Sequence, residues 1–313
     1  MATCAACAST VLIPHLEVAD ARAEDLIPTT DRFGAALGDI VRCPACSHMQ
    51  LDRFPSEAEL GEAYGEAESE DYVDEEAGQR ATARTALERI ERYAPRPPGG
   101  ARAPGAAAEA GGSAPALLDL GCWVGFLLAE ARERGWDTLG VEPSEFASSY
   151  ARERLGLDVV RADLFDADLG GRRFHAIAMG DVIEHLPRPD DALDRMAGLL
   201  EPGGILYLAL PNAGSRLARR MGARWWSVIP THVQYFTRPS LLTLLRRRGW
   251  EPLWTGTAPK AFTVRYYLER IGGYSPPLAN ALVAAAAATG VADRMWAPDF
   301  RDRMAVIARA PGQ

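Results

Sequence analysis

The chain has 313 residues, 48% of them hydrophobic, with 34 Lys and Arg against 42 Asp and Glu, a formal net charge of −8. That length holds one full-sized domain plus a small one, with enough apolar residues for a sizeable core. No apolar run reaches membrane-spanning length, and no basic-then-apolar signal peptide opens the chain, so a soluble, cytoplasmic protein is expected.

The negative charge is concentrated. Pro55 to Gln79 holds ten Asp or Glu and no Lys or Arg, leaving 32 acids against 34 bases elsewhere. The block reads as a solvated helical face. A broad basic face for nucleic acid is absent, and the single lysine, Lys260, reflects an arginine-biased composition.

The first motif is a pair of C-x-x-C steps, Cys4-Ala-Ala-Cys7 and Cys43-Pro-Ala-Cys46, separated by thirty-five residues. In a reducing compartment such pairs point to structural zinc rather than disulfides. Four thiolates close a tetrahedral shell and leave no open position, so no catalysis is assigned to the ion. Reduced structural cysteines or a redox pair are the alternatives. Ala8 and Ser47 stand where zinc ribbons place glycine after each second cysteine. His48 reads as a surface histidine and Cys122 as a small buried residue. Residues 1–53 are therefore expected to form a zinc-binding module.

Residues 54–93 read as a charged helical arm. Residues 94–115, rich in Pro, Gly and Ala, read as a flexible linker. The arm carries Tyr64 and Tyr72, which are expected to pack on the following domain.

From Ala116 the pattern changes. The apolar run Ala116 to Leu120 feeds into Gly121 and Gly125, and a helix is expected over Phe126 to Arg134. Strand, glycine turn and helix turn backbone N–H groups toward a nucleotide-like ligand. Twenty-one residues past Gly121, Glu142 ends the run Thr138 to Val141, placed to accept from ribose hydroxyls. Another twenty-one residues on, Asp163 is placed to accept from an adenine amine, with Leu164 on the ring. Strands over Phe174 to Met179 and Ile205 to Leu210 flank a helix from about Asp190 to Leu200. This alternation predicts an α/β fold with a doubly wound, mostly parallel sheet.

The ordered set Asp119-Leu-Gly121-Cys-Trp-Val-Gly125, Gly140-Val-Glu142, Ala162-Asp163-Leu, Gly180-Asp-Val-Ile-Glu-His-Leu186 and Leu200-Glu-Pro-Gly-Gly204 resembles the class I S-adenosylmethionine (SAM) dependent methyltransferases. Paired cysteines also precede the catalytic domain in a bacterial subgroup of that family. The resemblance implies a seven-stranded Rossmann-like domain over 116–313, ending in an antiparallel hairpin over Trp250 to Thr257 and Met304 to Arg309. It implies SAM as cofactor, with Asp119, Gly121 and Gly125 at its methionine part, Glu142 at the ribose, Asp163 and Leu164 at the adenine, and Asp181 nearby. Trp123 departs from the family pattern, which has glycine there.

The distal segment Gly222 to Ser240, with Trp225, Trp226, His232, Tyr235 and Phe236, falls where this fold builds the acceptor side of its cleft. It resembles methyltransferases acting on sugars, polysaccharide precursors or secondary metabolites. The expected partner is a small-molecule hydroxyl acceptor, sugar or nucleotide-linked included. His232, then His185, are the candidate bases. Arg216, Arg219, Arg220 and Arg224 read as a solvated helix face. The alanine-rich Ala279 to Ala292 reads as a packed helix. Two other readings stand beside the enzyme: a zinc-containing binding protein whose methyltransferase fold has lost turnover, and an RNA methyltransferase.

Overall fold

The computed structural model describes residues 3–20, 33–56, 73–95 and 114–312. The N-terminal part is built from short strands: β1 (Ile13–Leu16), β2 (Ala19–Asp20), β3 (Ala35–Ala36), β4 (Ile40–Arg42) and β5 (Met49–Leu51). β1, β4 and β5 pair antiparallel. The arm contributes α1 (Glu76–Tyr93), which buries Leu87 and Ile90. Each such side chain, fully buried, stabilises by about 1.5–3 kcal/mol. Tyr64, Tyr72, most of the acidic block and most of the linker lie outside the described residues.

The main sheet begins at β6 (Ala116–Leu120), whose five residues are all buried. That is why an uninterrupted apolar run makes a strand here: both faces are covered. It continues with α2 (Phe126–Glu133), β7 (Asp137–Val141), α3 (Glu145–Glu153), β8 (Val159–Val160), β9 (Phe174–Gly180), α4 (Pro189–Leu199) and β10 (Leu200–Pro211). Then follow α5 (Arg216–Met221), β11 (Gln234–Tyr235), α6 (Arg238–Arg247), β12 (Glu251–Thr257), β13 (Phe262–Thr263), α7 (Val264–Glu269), α8 (Pro276–Ala288), β14 (Met295–Trp296) and β15 (Arg303–Arg309).

The seven strands run in the order β12-β15-β10-β9-β6-β7-β8. β6 to β10 pair parallel, and β15 enters antiparallel between β10 and β12. The doubly wound sheet and its terminal antiparallel pair are as the sequence predicts. The carboxyl ends of β6, β7 and β9 open on one side, where such sheets bind ligands.

Three expectations change. The alanine-rich helix buries only Ala279 and Ala286, and Leu278 is 51% exposed. Alanine's helix propensity holds it, not burial on all sides. The last two strands are not a tight hairpin: residues 258–302 intervene, pinned to α1 where Thr263 N–H donates to Glu75 at 2.8 Å and Ala261 N–H to Thr82 at 2.9 Å. His48 is not on the surface but fully buried. A neutral imidazole with a hydrogen-bond partner is tolerated there.

Candidate active site

The glycine loop after β6 is shaped by positive φ. Gly121 sits at φ 70° and Gly125 at 86°. A Cβ would stand 2.5 Å from Val182 at the first and 2.5 Å from Leu157 at the second, so sterics and conformation both require glycine. Trp123 adopts φ 49° despite its side chain. Its indole packs with Phe146, ring centroids 6.4 Å apart, and its backbone N–H donates to Glu142 Oε2 at 2.8 Å. The family's missing glycine is thus replaced by a left-handed tryptophan anchored beside α3.

Glu142 also accepts from Ser144 N–H at 2.9 Å. It is buried, which pushes its carboxyl up to about 7 against those two hydrogen bonds. Burial, then the neighbouring Glu142, push Asp119 up to about 8. Two adjacent buried carboxyls facing a cleft suit hydroxyl and ammonium partners, which a nucleoside amino-acid cofactor carries. Asp163 is exposed at the rim and accepts from Phe165 N–H at 2.9 Å, whereas Leu164 is buried. Asp119, Gly121, Gly125, Glu142, Asp163, Leu164 and Asp181 all line one cleft of about 1510 Å³. That is ample for a cofactor and an acceptor together.

At the far end, Asp181 sits at φ 57°, bridged to Lys260 at 2.7 Å and Arg303 at 2.6 Å. Burial alone would raise its carboxyl, but Arg303 and Lys260 hold it well below the usual range. Glu184 is 2% exposed with neither carboxylate oxygen hydrogen-bonded, and burial with the nearby Asp181 pushes it to about 8. His185 Nδ1 lies 2.9 Å from Thr231 O and His232 Nδ1 2.8 Å from Ser227 O. The rings meet edge-on at 4.6 Å. Burial drives His185 down to about 4 and His232 well below its ordinary value. Both are neutral near pH 7, with Nδ1–H donating to a carbonyl and Nε2 the basic nitrogen. Ligand atoms of Glu184, His185 and His232 lie within 4.8 Å of one another, a grouping that suits a cation.

The wall facing them comes from the 258–302 insertion. Phe262 stacks on Tyr266 at 4.2 Å, and Tyr267 meets Trp296 edge-on at 5.4 Å. Trp226 meets Phe300 at 5.9 Å. Trp225 and Phe236, by contrast, are 3% and 1% exposed core residues. Arg216, Arg219, Arg220 and Arg224 are exposed. Sequence reasoning missed Lys260, Arg303 and this aromatic wall; a lone lysine in an arginine-rich chain was the one visible signal.

The four N-terminal cysteines also converge. Sγ atoms of Cys4 and Cys46, and of Cys7 and Cys43, are 3.5 Å apart, and all four lie within 4.8 Å. Zinc–sulfur bonds of about 2.3 Å place tetrahedral sulfurs about 3.8 Å apart, so the set fits the ion. Both turns close the same way: Ala8 N–H donates to Cys4 O at 2.8 Å and Ser47 N–H to Cys43 O at 2.9 Å. Ala8 and Ser47 take the glycine-like φ values of 60° and 65°.

The strand order and the acidic residues closing β6 and β7 define a class I methyltransferase architecture. A family model described as a methyltransferase domain matches residues 78–254, and the chain belongs to that family. It is 29% identical over 149 residues to a ubiquinone biosynthesis O-methyltransferase of Cereibacter sphaeroides, covering 44% of this chain and 60% of that protein. A protein of the same description from Alkalilimnicola ehrlichii is 34% identical over 140 residues, 40% of this chain and 56% of that protein. The chain thus spans about 60% or less of the length of these two relatives. Among solved structures, a complex of a Haloferax volcanii methyltransferase activator with a methyltransferase matches at TM-score 0.50 and 15% identity, covering 76% of this chain and 92% of that one. That likeness concerns the fold alone. Among the described residues, no helix is long and apolar enough to cross a membrane.

Proposed function

We propose that the protein is a SAM-dependent methyltransferase acting on a hydroxyl of a ring-bearing small molecule, a sugar or secondary metabolite. The observation that carries this reading is one cleft with two ends: a buried Asp119–Glu142 pair over a glycine loop, and two neutral histidines facing an aromatic wall. SAM supplies an activated methyl group. Glu142 holds its ribose hydroxyls, Asp119 and the backbone at Gly121 and Gly125 its amino-acid end, and Asp163 with Leu164 its adenine. Asp181 orients Lys260 and Arg303 at the cleft floor. Alignment of acceptor oxygen, methyl and sulfur does most of the work, since a positioned nucleophile needs little covalent help.

His232 takes the acceptor proton on Nε2, with Nδ1–H fixed by Ser227; His185 is its neighbour and the second candidate. Aromatic faces opposite them stack an acceptor ring. A second reading of the base is favoured by the unpartnered oxygens of buried Glu184: a divalent cation on Glu184, His185 and His232 would lower the acceptor hydroxyl's proton affinity. Zinc on Cys4, Cys7, Cys43 and Cys46 is structural. Residues 1–53, 54–93, 94–115 and 116–313 act as metal module, arm, linker and catalytic domain in a cytoplasmic enzyme.

The test is methyl transfer from labelled SAM to panels of sugar nucleotides, catechols and amines, repeated with and without chelator and added Mg²⁺ or Mn²⁺. Methylated hydroxyls supporting turnover that His232→Asn reduces at least ~100-fold carry the reading. Transfer only to nitrogen, or to RNA, overturns it. Turnover restored by Mg²⁺ or Mn²⁺ alone selects the cation reading.

A further inference from the structure

The N-terminal module does more than hang beside the catalytic domain. Among the described residues β11 pairs with β5 alone, with Gln234 opposite Gln50 and Tyr235 opposite Met49. Leu51 N–H donates to Val233 O at 3.1 Å, and Val233 N–H in turn donates to Glu184 O at 3.0 Å. The two residues before Val233 are Thr231, whose carbonyl takes the His185 Nδ1–H, and His232 itself. The segment bearing one candidate base and orienting the other therefore runs directly into a strand paired with the module.

The tie at its centre is buried and polar. His48, directly after the second cysteine turn, places Nε2 at 2.8 Å from Gln234 Oε1. Gln234, 1% exposed, donates its amide to Leu186 O at 3.2 Å and Pro187 O at 3.3 Å. An amide has one acceptor and two donors, and all face partners of the right kind only in this orientation. The carbonyls it holds belong to the loop that follows His185. His48 is also clamped from the other side: its ring lies 4.6 Å from that of Phe236. A buried amide bridging two carbonyls has no neutral substitute, because removing it leaves both carbonyls without their donor.

We propose that Gln234, oriented by His48, is a positioning residue for His185 and His232, so that the cysteine module sets the geometry of the acceptor end of the cleft. The functional meaning rests on the methyltransferase reading above; the geometric linkage does not.

The chain has five histidines, so ¹⁵N-histidine labelling of the full, zinc-loaded protein gives a spectrum simple enough to follow each ring. Gln234→Met keeps length and removes every hydrogen bond. Gln234→Glu keeps the acceptor for His48 and loses the donors to Leu186 and Pro187. In both, the Nδ1–H signals of His185 and His232 are expected to broaden or vanish through exchange, while His175, at the start of β9, is unchanged. SAM affinity measured on the same samples is expected to stay within about twofold, because Asp119 and Glu142 are untouched. Retained His185 and His232 signals in Gln234→Glu overturn the proposal, whether or not Gln234→Met folds. Loss of the His175 signal as well also overturns it, showing general loosening instead. Absence of SAM binding by the wild type would instead count against the methyltransferase reading and leave the ring signals to decide the linkage.

Discussion

At the scale of single residues, three carboxyls dominate the chemistry: Asp119 near 8, Glu142 near 7 and Glu184 near 8, each raised first by burial. An acid whose folded pKa exceeds its unfolded value stabilises below the unfolded pKa and loses that contribution as pH rises through the folded one. The buried histidines act in the opposite direction, but only below about 6.5, the ordinary histidine value. Between pH 6.5 and 8 the histidines no longer offset the carboxyls. The ligand-free protein is expected to lose thermal stability across that window, read as a falling melting temperature. SAM carries an ammonium and a sulfonium, so it favours the ionised pair. Its binding is expected to tighten over the same window and to release protons, seen as a buffer-dependent enthalpy of titration. Flat behaviour in both measurements would place the pair outside the cofactor site.

Elements in this protein meet through close approaches as much as through apolar faces. In α1, Gly78 sits in the first turn, where alanine is ordinarily the better helix former. Here a Cβ would stand 2.2 Å from the Ala261 carbonyl oxygen. Gly78→Ala is expected to destabilise by roughly 1–3 kcal/mol, as overpacking does, and to displace the 258–302 insertion. Denaturant unfolding decides it; a gain in stability would mean that α1 and the insertion do not pack this way. This contact also shows what the sequence made legible. The strands and glycine loop of the main sheet were readable because each is a local pattern: an apolar run, a turn residue, an acid at a fixed interval. The insertion was not, because β13 and β14 have two residues each and their aromatics follow no period. Nor was the His48–Gln234 tie, which joins residues 186 apart. His48 read as a surface residue because its partner lies on a two-residue strand, β11, that no spacing rule connects to it.

On the scale of the whole molecule, the cysteine module and the methyltransferase sheet share one apolar core. Cys4, Ala6, Cys43 and Cys46 pack in the same cluster as Leu206, Phe236 and Leu245. Arg247 of α6 donates to the carbonyls of Ala5 at 3.0 Å and Ala6 at 3.1 Å. With zinc on the four thiols as proposed above, its removal is expected to be felt across the fold, since metal binding is coupled to folding. Chelation, or Cys43→Ser, is expected to lower the melting temperature of the catalytic sheet in one cooperative transition. Two separate transitions would show that the module folds independently.

The central claim is that Asp119 and Glu142 close a SAM site despite Trp123. Calorimetric titration of the zinc-loaded protein with SAM and with S-adenosylhomocysteine, beside Glu142→Ala, tests it most directly. The structure predicts micromolar binding of both ligands, weakened roughly 10- to 100-fold in the variant, the equivalent of about 1.4–2.8 kcal/mol. Binding of neither ligand by folded wild-type protein would contradict the claim. The reading in its place would be a methyltransferase fold that has lost turnover.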